Sequence, residues 1–328
     1  MGRQRNDTLE IIKLFASYMV VLIHFFFRDG LGGFMDALAR FAVPLFFIIS
    51  GFYSYKISLN KIKSRIKNIA VLTLFATLVY TAFNVAALFA SNNVSMISTY
   101  FEKYLDPKAL VHLFVFNIPL SSEHLWFLFA LIYVYIVFYI TTKYKISDAW
   151  VLGTSVLFLL AHILAGEVAL AIGIDFPAFI VRNFLFMGIP FFGFGLIAKK
   201  YEEKLLKAPN FIIWAMLLLG VLETYFSRKG IGKNELYIGS VLICFSIIVF
   251  FIKYSDVKYP RIIIEISKCN TYIYILHLLV IRVVKVVCRE LGLNPLPVVS
   301  YLLVCVLSTI LAYCIIIINN KLKAKFKN

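Results

Sequence analysis

Two ionisable residues lie within the first apolar stretch of the chain, and their spacing places them on one face of a helix. Lys13 and His24 are eleven residues apart, and eleven steps of 100° come within about 20° of three full turns. At 1.5 Å of rise per residue, their Cα atoms are separated by about 16 Å along the axis. With the helix entering a membrane near Leu9, Lys13 is predicted close to the cytoplasmic surface and His24 in the outer part of the bilayer.

A cation and a histidine in this arrangement could hold the anionic end of a long, thin molecule and act on its other end. Acyl-coenzyme A has this shape, with phosphates, a pantetheine arm and a thioester. Ionisable residues inside membrane spans are costly and are functional candidates by default. The alternative is that the Lys13 side chain extends to the headgroups and that His24 forms hydrogen bonds inside a helix bundle. The spacing alone leaves both interpretations open.

Other polar residues lie at the ends or in the middle of later apolar stretches. Glu123, His124 and Trp126 begin one of them; a tryptophan alone is typical of an interfacial anchor, but the adjacent glutamate and histidine indicate a site. In a late stretch, His277 is predicted in the inner half. Arg282 is near mid-depth, where it must face a polar cavity or pair with an acid.

The composition predicts the elements that position these residues. The 328 residues are 62% hydrophobic and 15% charged, which excludes an ordinary soluble domain. Since a span needs about 20 residues, we expect an all-α fold, a polytopic integral membrane helix bundle with about ten transmembrane helices in a single domain over residues 1–328, without a separate soluble domain. The ten apolar stretches are Leu9–Phe27, Ala39–Tyr55, Ile69–Ala90, Leu125–Thr142, Ala149–Ala165, Phe179–Ala198, Phe211–Phe226, Leu236–Ile252, Thr271–Val287 and Val298–Ile318.

The net charge of +16 is mainly a signal of orientation. With the N-terminus inside, 21 of the 33 lysines and arginines lie in cytoplasmic segments, as expected for a multi-pass protein of the cell membrane with both termini cytoplasmic. These residues are scattered over short segments, which disfavours nucleic-acid binding. The five cysteines show no paired spacing, so no metal site is expected.

An ordered set of motifs carries a resemblance to a known family. The set comprises Lys13 with His24, the Pro44 to Tyr53 run, the basic segment Lys61 to Lys67, the His124 to Leu128 run and the Tyr274 to His277 pattern. At these spacings the chain resembles membrane-bound acyltransferase family 3, which includes O-acetyltransferases of bacterial surface polysaccharides. The Pro44 to Tyr53 run is similar to the family's "P-L-F-F-x-I-S-G-F/Y" signature. Its Ser50-Gly51 pair also predicts close helix packing.

The resemblance implies transfer of an acyl group, usually acetyl, from cytoplasmic acyl-coenzyme A to a sugar hydroxyl at or beyond the outer face. His24 matches the family's proposed catalytic histidine, and Lys13 stands where many members have arginine. Glu10 could orient that lysine. The expected partners are acetyl-coenzyme A or another short acyl-coenzyme A as donor, a surface or lipid-linked saccharide as acceptor, and membrane lipids; no permanently bound cofactor is expected.

Further site residues follow from this hypothesis. Arg65 would join Lys13 in neutralising coenzyme A phosphates, while Arg182 would join His124 and Trp126 on the acceptor side. A rival interpretation is a transporter or flippase of a lipid-linked saccharide, with Arg282, Lys285 and Glu223 along its pathway. A flippase would move its substrate without consuming acetyl-coenzyme A. A non-enzymatic membrane scaffold would leave the alignment of Lys13 with His24 without a role.

Overall fold

The computed structural model describes residues 7–25 and 30–325, and these residues are mostly helical with no strand among them. The all-α prediction is therefore confirmed. Within these two ranges, seven helical segments are long and apolar enough to cross a membrane. They are Gly30–Phe52, Leu59–Ala90, Glu123–Lys143, Asp148–Ala171, Asn210–Ile231, Asn270–Glu290 and Pro297–Lys321.

The other three predicted spans correspond to shorter helical segments. The first stretch lies on the helix Asp7–Ile23, and its last residues lie outside the described part of the chain. Four basic residues of the charge pattern also lie outside it, namely Arg3, Arg5, Arg28 and Lys327. The sixth is divided over Ala178–Val181, Phe184–Gly188 and Ile189–Lys200, and the eighth lies on Ile238–Lys253. A polytopic membrane helix bundle accounts for all of these segments, because a helix satisfies its own backbone hydrogen bonds in lipid.

The chain forms two compact units. The first unit consists of residues 1–46 and 202–328. Its helices are α1 (Asp7–Ile23), α2 (Gly30–Leu38), the start of α3 (Ala42–Phe52), α12 (Glu202–Leu206), α13 (Asn210–Ile231), α14 (Ile238–Lys253), α15 (Arg261–Ser267), α16 (Asn270–Glu290) and α17 (Pro297–Lys325).

The second unit consists of residues 47–201. Its helices are the rest of α3, α4 (Leu59–Ala90), α5 (Met96–Glu102), α6 (Pro107–Phe116), α7 (Trp126–Lys143), α8 (Asp148–Ile163), α9 (Ala169–Ala171), α10 (Ala178–Val181) and α11 (Ile189–Lys200). Two short π-helical segments, Leu164–Val168 and Phe184–Gly188, continue α8 and precede α11.

Local sequence fixes where several helices of the second unit begin. The Ser58 and Ser147 side chains accept hydrogen bonds from the third residues of α4 and α8. Asp106 accepts one from Lys108 at the start of α6, where Pro107 occupies the first helical position. Each of these residues satisfies or removes an N–H that the helix leaves unbonded. Because of its cap, α4 begins ten residues before the predicted span and carries the basic residues from Lys61 onwards.

Small residues allow the helices to cross closely in both units. In the first unit, a Cβ added to Gly239 would lie 2.1 Å from the Gly220 carbonyl oxygen, so α13 and α14 meet backbone to backbone. In the second unit, a Cβ on Gly51 would lie 1.9 Å from the carbonyl oxygen of Phe192, and one on Gly195 would lie 2.0 Å from that of Ile48. The close packing predicted at Ser50-Gly51 is thus present between α3 and α11.

Candidate functional site

His24 is brought against a second histidine in the first unit. The rings of His24 and His277 lie with centroids 5.0 Å apart and planes at 38°. His277 is fully buried, and its Nδ1 lies 2.7 Å from the Tyr274 carbonyl oxygen. Since a carbonyl can only accept, Nδ1 carries the proton, and Nε2 is the basic nitrogen of the neutral ring. His24 is half-buried. The two imidazoles therefore form one compact group.

Helix α1 ends one residue before His24, whereas the spacing argument assumed that the helix continues through it. The His24 N–H donates to the Val21 carbonyl in the closing turn, 3.1 Å away. The prediction that His24 lies within a helix was wrong in this respect. His24 therefore directly follows the end of α1, and Lys13 is the seventh of the 17 residues of that helix.

A shared register places the two histidines at one depth. The Ser17 hydroxyl lies 3.1 Å from the Asn270 carbonyl oxygen. His24 is seven residues after Ser17, and His277 is seven residues after Asn270. Seven residues are two helical turns, or about 10.5 Å, so α1 and α16 run in the same direction side by side. The two histidines therefore lie at the same height along the helix pair, although the sequence argument assigned His24 to the outer part and His277 to the inner half of the bilayer.

Lys13 belongs to a polar network in the first half of α1. Its Nζ lies 2.7 Å from Glu10 Oε1, and the Asn270 amide donates to Glu10 Oε2 at 3.2 Å. The side chains of Lys13 and Glu10 are 21% and 14% exposed. The predicted contact between them is present, and a carboxylate accordingly offsets the lysine charge at a site that solvent can reach.

Arg282 is half-buried on α16, five residues beyond His277. Glu223 was one acid considered for the same polar region. Its carboxylate accepts hydrogen bonds from Ser227 Oγ at 2.6 Å and from the Gly239 N–H. These contacts secure the crossing of α13 and α14, which gives Glu223 a structural role in the first unit.

His124 is buried in the second unit. Its Nδ1 lies 2.9 Å from the Ser122 hydroxyl, and its ring meets Tyr80 edge-on at 4.8 Å. Both His124 and Ser122 are 5% exposed or less, whereas Glu123 is exposed. The motif therefore divides into a buried histidine–serine pair and a surface carboxylate.

Trp126 is also buried, although an interfacial anchor would expose part of its indole. Only 7% of the residue is exposed. The Arg182 guanidinium lies 5.8 Å from the ring centroid, and the Phe47 ring lies 6.3 Å away. The sequence argument grouped Trp126 with Arg182, and the structure places the guanidinium beside the indole; their contact with the acceptor stays a prediction.

Arg65 is bonded to protein groups at the end of α3. Its guanidinium donates to the Ser54 hydroxyl at 2.6 Å, to the Tyr135 hydroxyl at 3.1 Å and to the Tyr53 carbonyl at 3.0 Å. These bonds connect α3, α4 and α7 within the second unit. Arg65 thus holds these helices together, and the binding of coenzyme A phosphate remains a prediction for it.

The predicted site residues fall into two sets. The first unit contains Glu10, Lys13, His24, His277 and Arg282; the second contains Arg65, Glu123, His124, Trp126 and Arg182. Within the first set the structure joins Lys13 to Glu10 and His24 to His277. Within the second it joins Trp126 to Arg182, and it holds His124 and Arg65 in separate networks.

Comparison with known proteins identifies the family. A family model described as an acyltransferase domain matches residues 6–317, nearly the whole chain. The chain belongs to acyltransferase family 3. A curated relative named amino-acid racemase, from Enterococcus faecalis, is 24% identical over 353 aligned residues. The match covers 98% of this chain and 47% of that protein, so the chain spans about half the length of this curated relative. No solved structure matches the chain.

Several residues of this family 3 chain were missed by the sequence argument because their partners are distant in sequence. Ser17 and Asn270 set the register of α1 against α16, and neither is charged. Arg40 was not among the predicted site residues, but it is only 6% exposed and binds Asp36 at 3.0 Å and Glu235 at 2.9 Å. Its spacing of four residues from Asp36 was an available signal.

Proposed function

We propose that this family 3 protein transfers a short acyl group, acetyl by preference, from cytoplasmic acyl-coenzyme A to a hydroxyl of a surface or lipid-linked saccharide. In this proposal it is a multi-pass protein of the cell membrane with both termini in the cytoplasm, and it acts as an O-acyltransferase. The observation that carries the proposal is the contact between His24 and His277 in a chain whose family model is an acyltransferase domain.

The histidine pair supports a general-base role for His24. His277 is fixed by its bond to the Tyr274 carbonyl, and a fixed ring 5.0 Å away limits the orientations that the His24 ring can adopt. A base must be positioned before its basicity is useful, and a well-placed one is typically worth 10²–10⁴-fold in rate. We therefore assign His24 the catalytic role and His277 a positioning role.

The proposed reaction is a direct transfer. His24 takes the proton of the acceptor hydroxyl as its oxygen attacks the thioester carbonyl carbon. The carbon–sulfur bond breaks, the ester forms, and the proton passes to the departing coenzyme A sulfur. A transient acyl-histidine, in which His24 attacks the thioester first, is the alternative chemistry.

The remaining predicted residues are proposed to bind the two substrates. Lys13, oriented by Glu10, would attract the phosphates of the donor, and a lysine does this as a point charge without the planar fork of arginine. Arg65 would contribute on the same cytoplasmic side. The acceptor would contact the residues predicted near the outer face and along α16, namely Glu123, His124, Trp126, Arg182 and Arg282. His277 was predicted to belong to this set, and we propose that it acts through His24 instead.

The experiment that tests this function follows both products in proteoliposomes. The purified protein receives acetyl-coenzyme A labelled in the acetyl group, together with glycan from the cell surface. We expect label in the glycan and an equal amount of free coenzyme A thiol. A flippase would instead move a lipid-linked saccharide while the thioester stays intact, and that result would replace the proposal. Succinyl-coenzyme A in a parallel reaction tests the choice of acyl group.

The name of the Enterococcus faecalis relative is not extended to this chain. The matched part is 47% of that protein at 24% identity, whereas the acyltransferase family model covers residues 6–317 here. We therefore base the proposed activity on the family and on the histidine pair.

A further inference from the structure

A cleft of about 740 Å³ lies in the first unit between the start of α2 and the end of α13. Glycines and aromatic rings form much of its wall, and two adjacent basic side chains, Arg228 and Lys229, project from the last turns of α13. Its described lining is Gly30, Leu31, Gly33, Phe34, Tyr225, Arg228, Lys229 and Gly232. The charged side chains among these described residues are both basic.

Arg228 is held in place through one of its three nitrogens. Its Nε donates to the Gly33 carbonyl oxygen at 3.1 Å. A Cβ added to Gly33 would lie 3.2 Å from Nη2 and 3.4 Å from Nε, so the absence of a side chain there gives the guanidinium its position. Among the described residues Arg228 has no carboxylate partner. Its terminal nitrogens remain as donors on the side of the cleft.

Two acids of the first unit share one cation. Asp36 on α2 and Glu235 in the α13–α14 connection both bind Arg40, whose side chain is buried. This ion network holds the α13–α14 connection against α2, and it keeps a net negative charge because one guanidinium faces two carboxylates. Both carboxylates are engaged by Arg40, and among the described residues Arg228 and Lys229 have no ion-pair partner.

The position of the cleft indicates a membrane-bound ligand. Thr8 donates to the Tyr254 carbonyl just after α14, so the end of α13 and the start of α14 lie at the opposite end of the unit from Thr8. Beside the cleft, Leu31 and Phe226 are 69% and 64% exposed, as expected for side chains in lipid. Aromatic residues next to cations are typical of the membrane interface.

We infer that this cleft binds the phosphate group of a membrane lipid. Arginine matches phosphate geometry through two parallel N–H donors, and Lys229 adds a second charge. Leu31, Phe34 and Tyr225 would contact the apolar part next to the headgroup. With the N-terminus cytoplasmic, the cleft belongs to the outer leaflet. The same chemistry would accept free inorganic phosphate, and the test below separates the two sources. This inference is independent of acyl transfer.

The test is competitive lipid binding to the full-length protein in a neutral detergent. The probe is phosphatidic acid labelled on its acyl chain, and the competitors are unlabelled phosphatidic acid, phosphatidylcholine and inorganic phosphate. We expect phosphatidic acid to displace the probe and phosphatidylcholine to displace it poorly, because its choline screens the phosphate. Displacement by inorganic phosphate at similar concentrations would assign the site to free phosphate and overturn the lipid assignment.

Two variants connect binding to the cleft. Arg228→Gln is expected to weaken probe binding about ten- to hundredfold, the usual loss for a charge-assisted hydrogen bond. Arg289→Gln is its matched control, because Arg289 is exposed at the end of α16 and pairs only with the adjacent Glu290 among the described residues. The inference is overturned if both arginine variants bind the probe as the wild type does, or if both lose binding equally.

A glycine variant separates binding from stability. Gly33→Ala places a methyl group against the Arg228 guanidinium and keeps every charge, so we expect an affinity between those of the wild type and Arg228→Gln. Alanine also favours a helix over glycine by about 1 kcal/mol, so unfolding does not explain such a loss. Gly153→Ala on α8, where a Cβ meets nothing within 4 Å, should leave affinity unchanged. If Gly33→Ala binds the probe as tightly as the wild type does, Arg228 does not contact the lipid phosphate in the way proposed.

Discussion

A histidine in the turn after a helix is less constrained by its own backbone than one in mid-helix, so its orientation depends on what it packs against. For His24 that partner is His277, with ring centroids 5.0 Å apart. His277 in turn is fixed by the bond from its Nδ1 to the Tyr274 carbonyl. The position of the proposed base therefore depends on a buried residue of a helix more than 250 positions away in sequence. Substitutions of His277 should act through His24.

His277→Asn is the variant that tests this dependence, because the asparagine amide can still donate to the Tyr274 carbonyl while the ring is lost. We expect kcat for acetyl transfer to fall about 10- to 100-fold, the scale expected when a reacting group is misplaced by about 1 Å, with KM for acetyl-coenzyme A unchanged. His162→Asn, at another fully buried histidine, is the control for removing a buried ring. An increase in acceptor KM alone would favour direct substrate binding by His277.

Lys13 should affect donor binding more than turnover. Removing its charge in Lys13→Gln is expected to raise KM for acetyl-coenzyme A about tenfold, since hydrogen bonds to charged groups contribute about 1.5–3 kcal/mol. Lys13→Arg should keep KM near the wild-type value. Initial-rate kinetics measure both constants, and Lys285→Gln, at an exposed lysine of α16, controls for net charge. If KM for acetyl-coenzyme A is unchanged in Lys13→Gln, Lys13 does not bind the donor, and its ion pair with Glu10 has only a structural role.

At the scale of the elements, close crossings at small residues position the helices. In the second unit, Gly51 of α3 lies directly against the Phe192 carbonyl of α11, while Gly195 of α11 lies against Ile48 of α3. The contact is reciprocal, so neither glycine can accept a side chain unless the backbones separate. The same helix α3 ends next to Tyr53 and Ser54, which bind Arg65. The crossing and the arginine network therefore support each other.

Gly51→Ala is predicted to destabilise the second unit. The added Cβ would meet a backbone oxygen at 1.9 Å, and overpacking of this kind typically costs about 1–3 kcal/mol. The measurement is the midpoint of thermal unfolding in detergent, compared with Gly153→Ala, which gains helix propensity with no new contact. If Gly51→Ala unfolds at the same temperature as the wild type, the α3–α11 crossing is looser than described.

Sequence reasoning predicted the positions of the helices better than the side-chain contacts between them. Periodicity and hydropathy depend on neighbouring residues, so the helices followed from local pattern, and the helix that carries Lys13 ends one residue before His24. The contacts of Arg65 with Tyr135, of Arg40 with Glu235 and of Ser17 with Asn270 join residues 70 or more positions apart. No local pattern contains such a pairing. For the same reason, the burial of Trp126 and the common depth of the two histidines were not predicted.

At the scale of the whole molecule, charge and hydropathy together predict an orientation. The chain is 62% hydrophobic, and 21 of its 33 basic residues lie in segments that the alternation places on one side. The proposed transfer from a cytoplasmic donor to an outer acceptor depends on this orientation. The connections after α16 and around α12 should therefore face opposite sides of the membrane.

Cysteine labelling tests this orientation. Glu290→Cys lies at the end of α16 and Glu203→Cys lies on α12, and both residues are exposed. In intact cells, a membrane-impermeant maleimide should label Glu290→Cys above the wild-type background and label Glu203→Cys only after permeabilisation. The opposite pattern would place the termini outside and reverse the direction of the proposed transfer.

The most direct test of the account is the rate of acetyl transfer by His24→Ala in reconstituted membranes, with labelled acetyl-coenzyme A and glycan acceptor and with His162→Ala in parallel. If His24 is the base, the variant should lose about 10²–10⁴-fold in rate while it still folds and binds the donor, and His162→Ala should transfer normally. Full activity of His24→Ala would contradict the proposed mechanism.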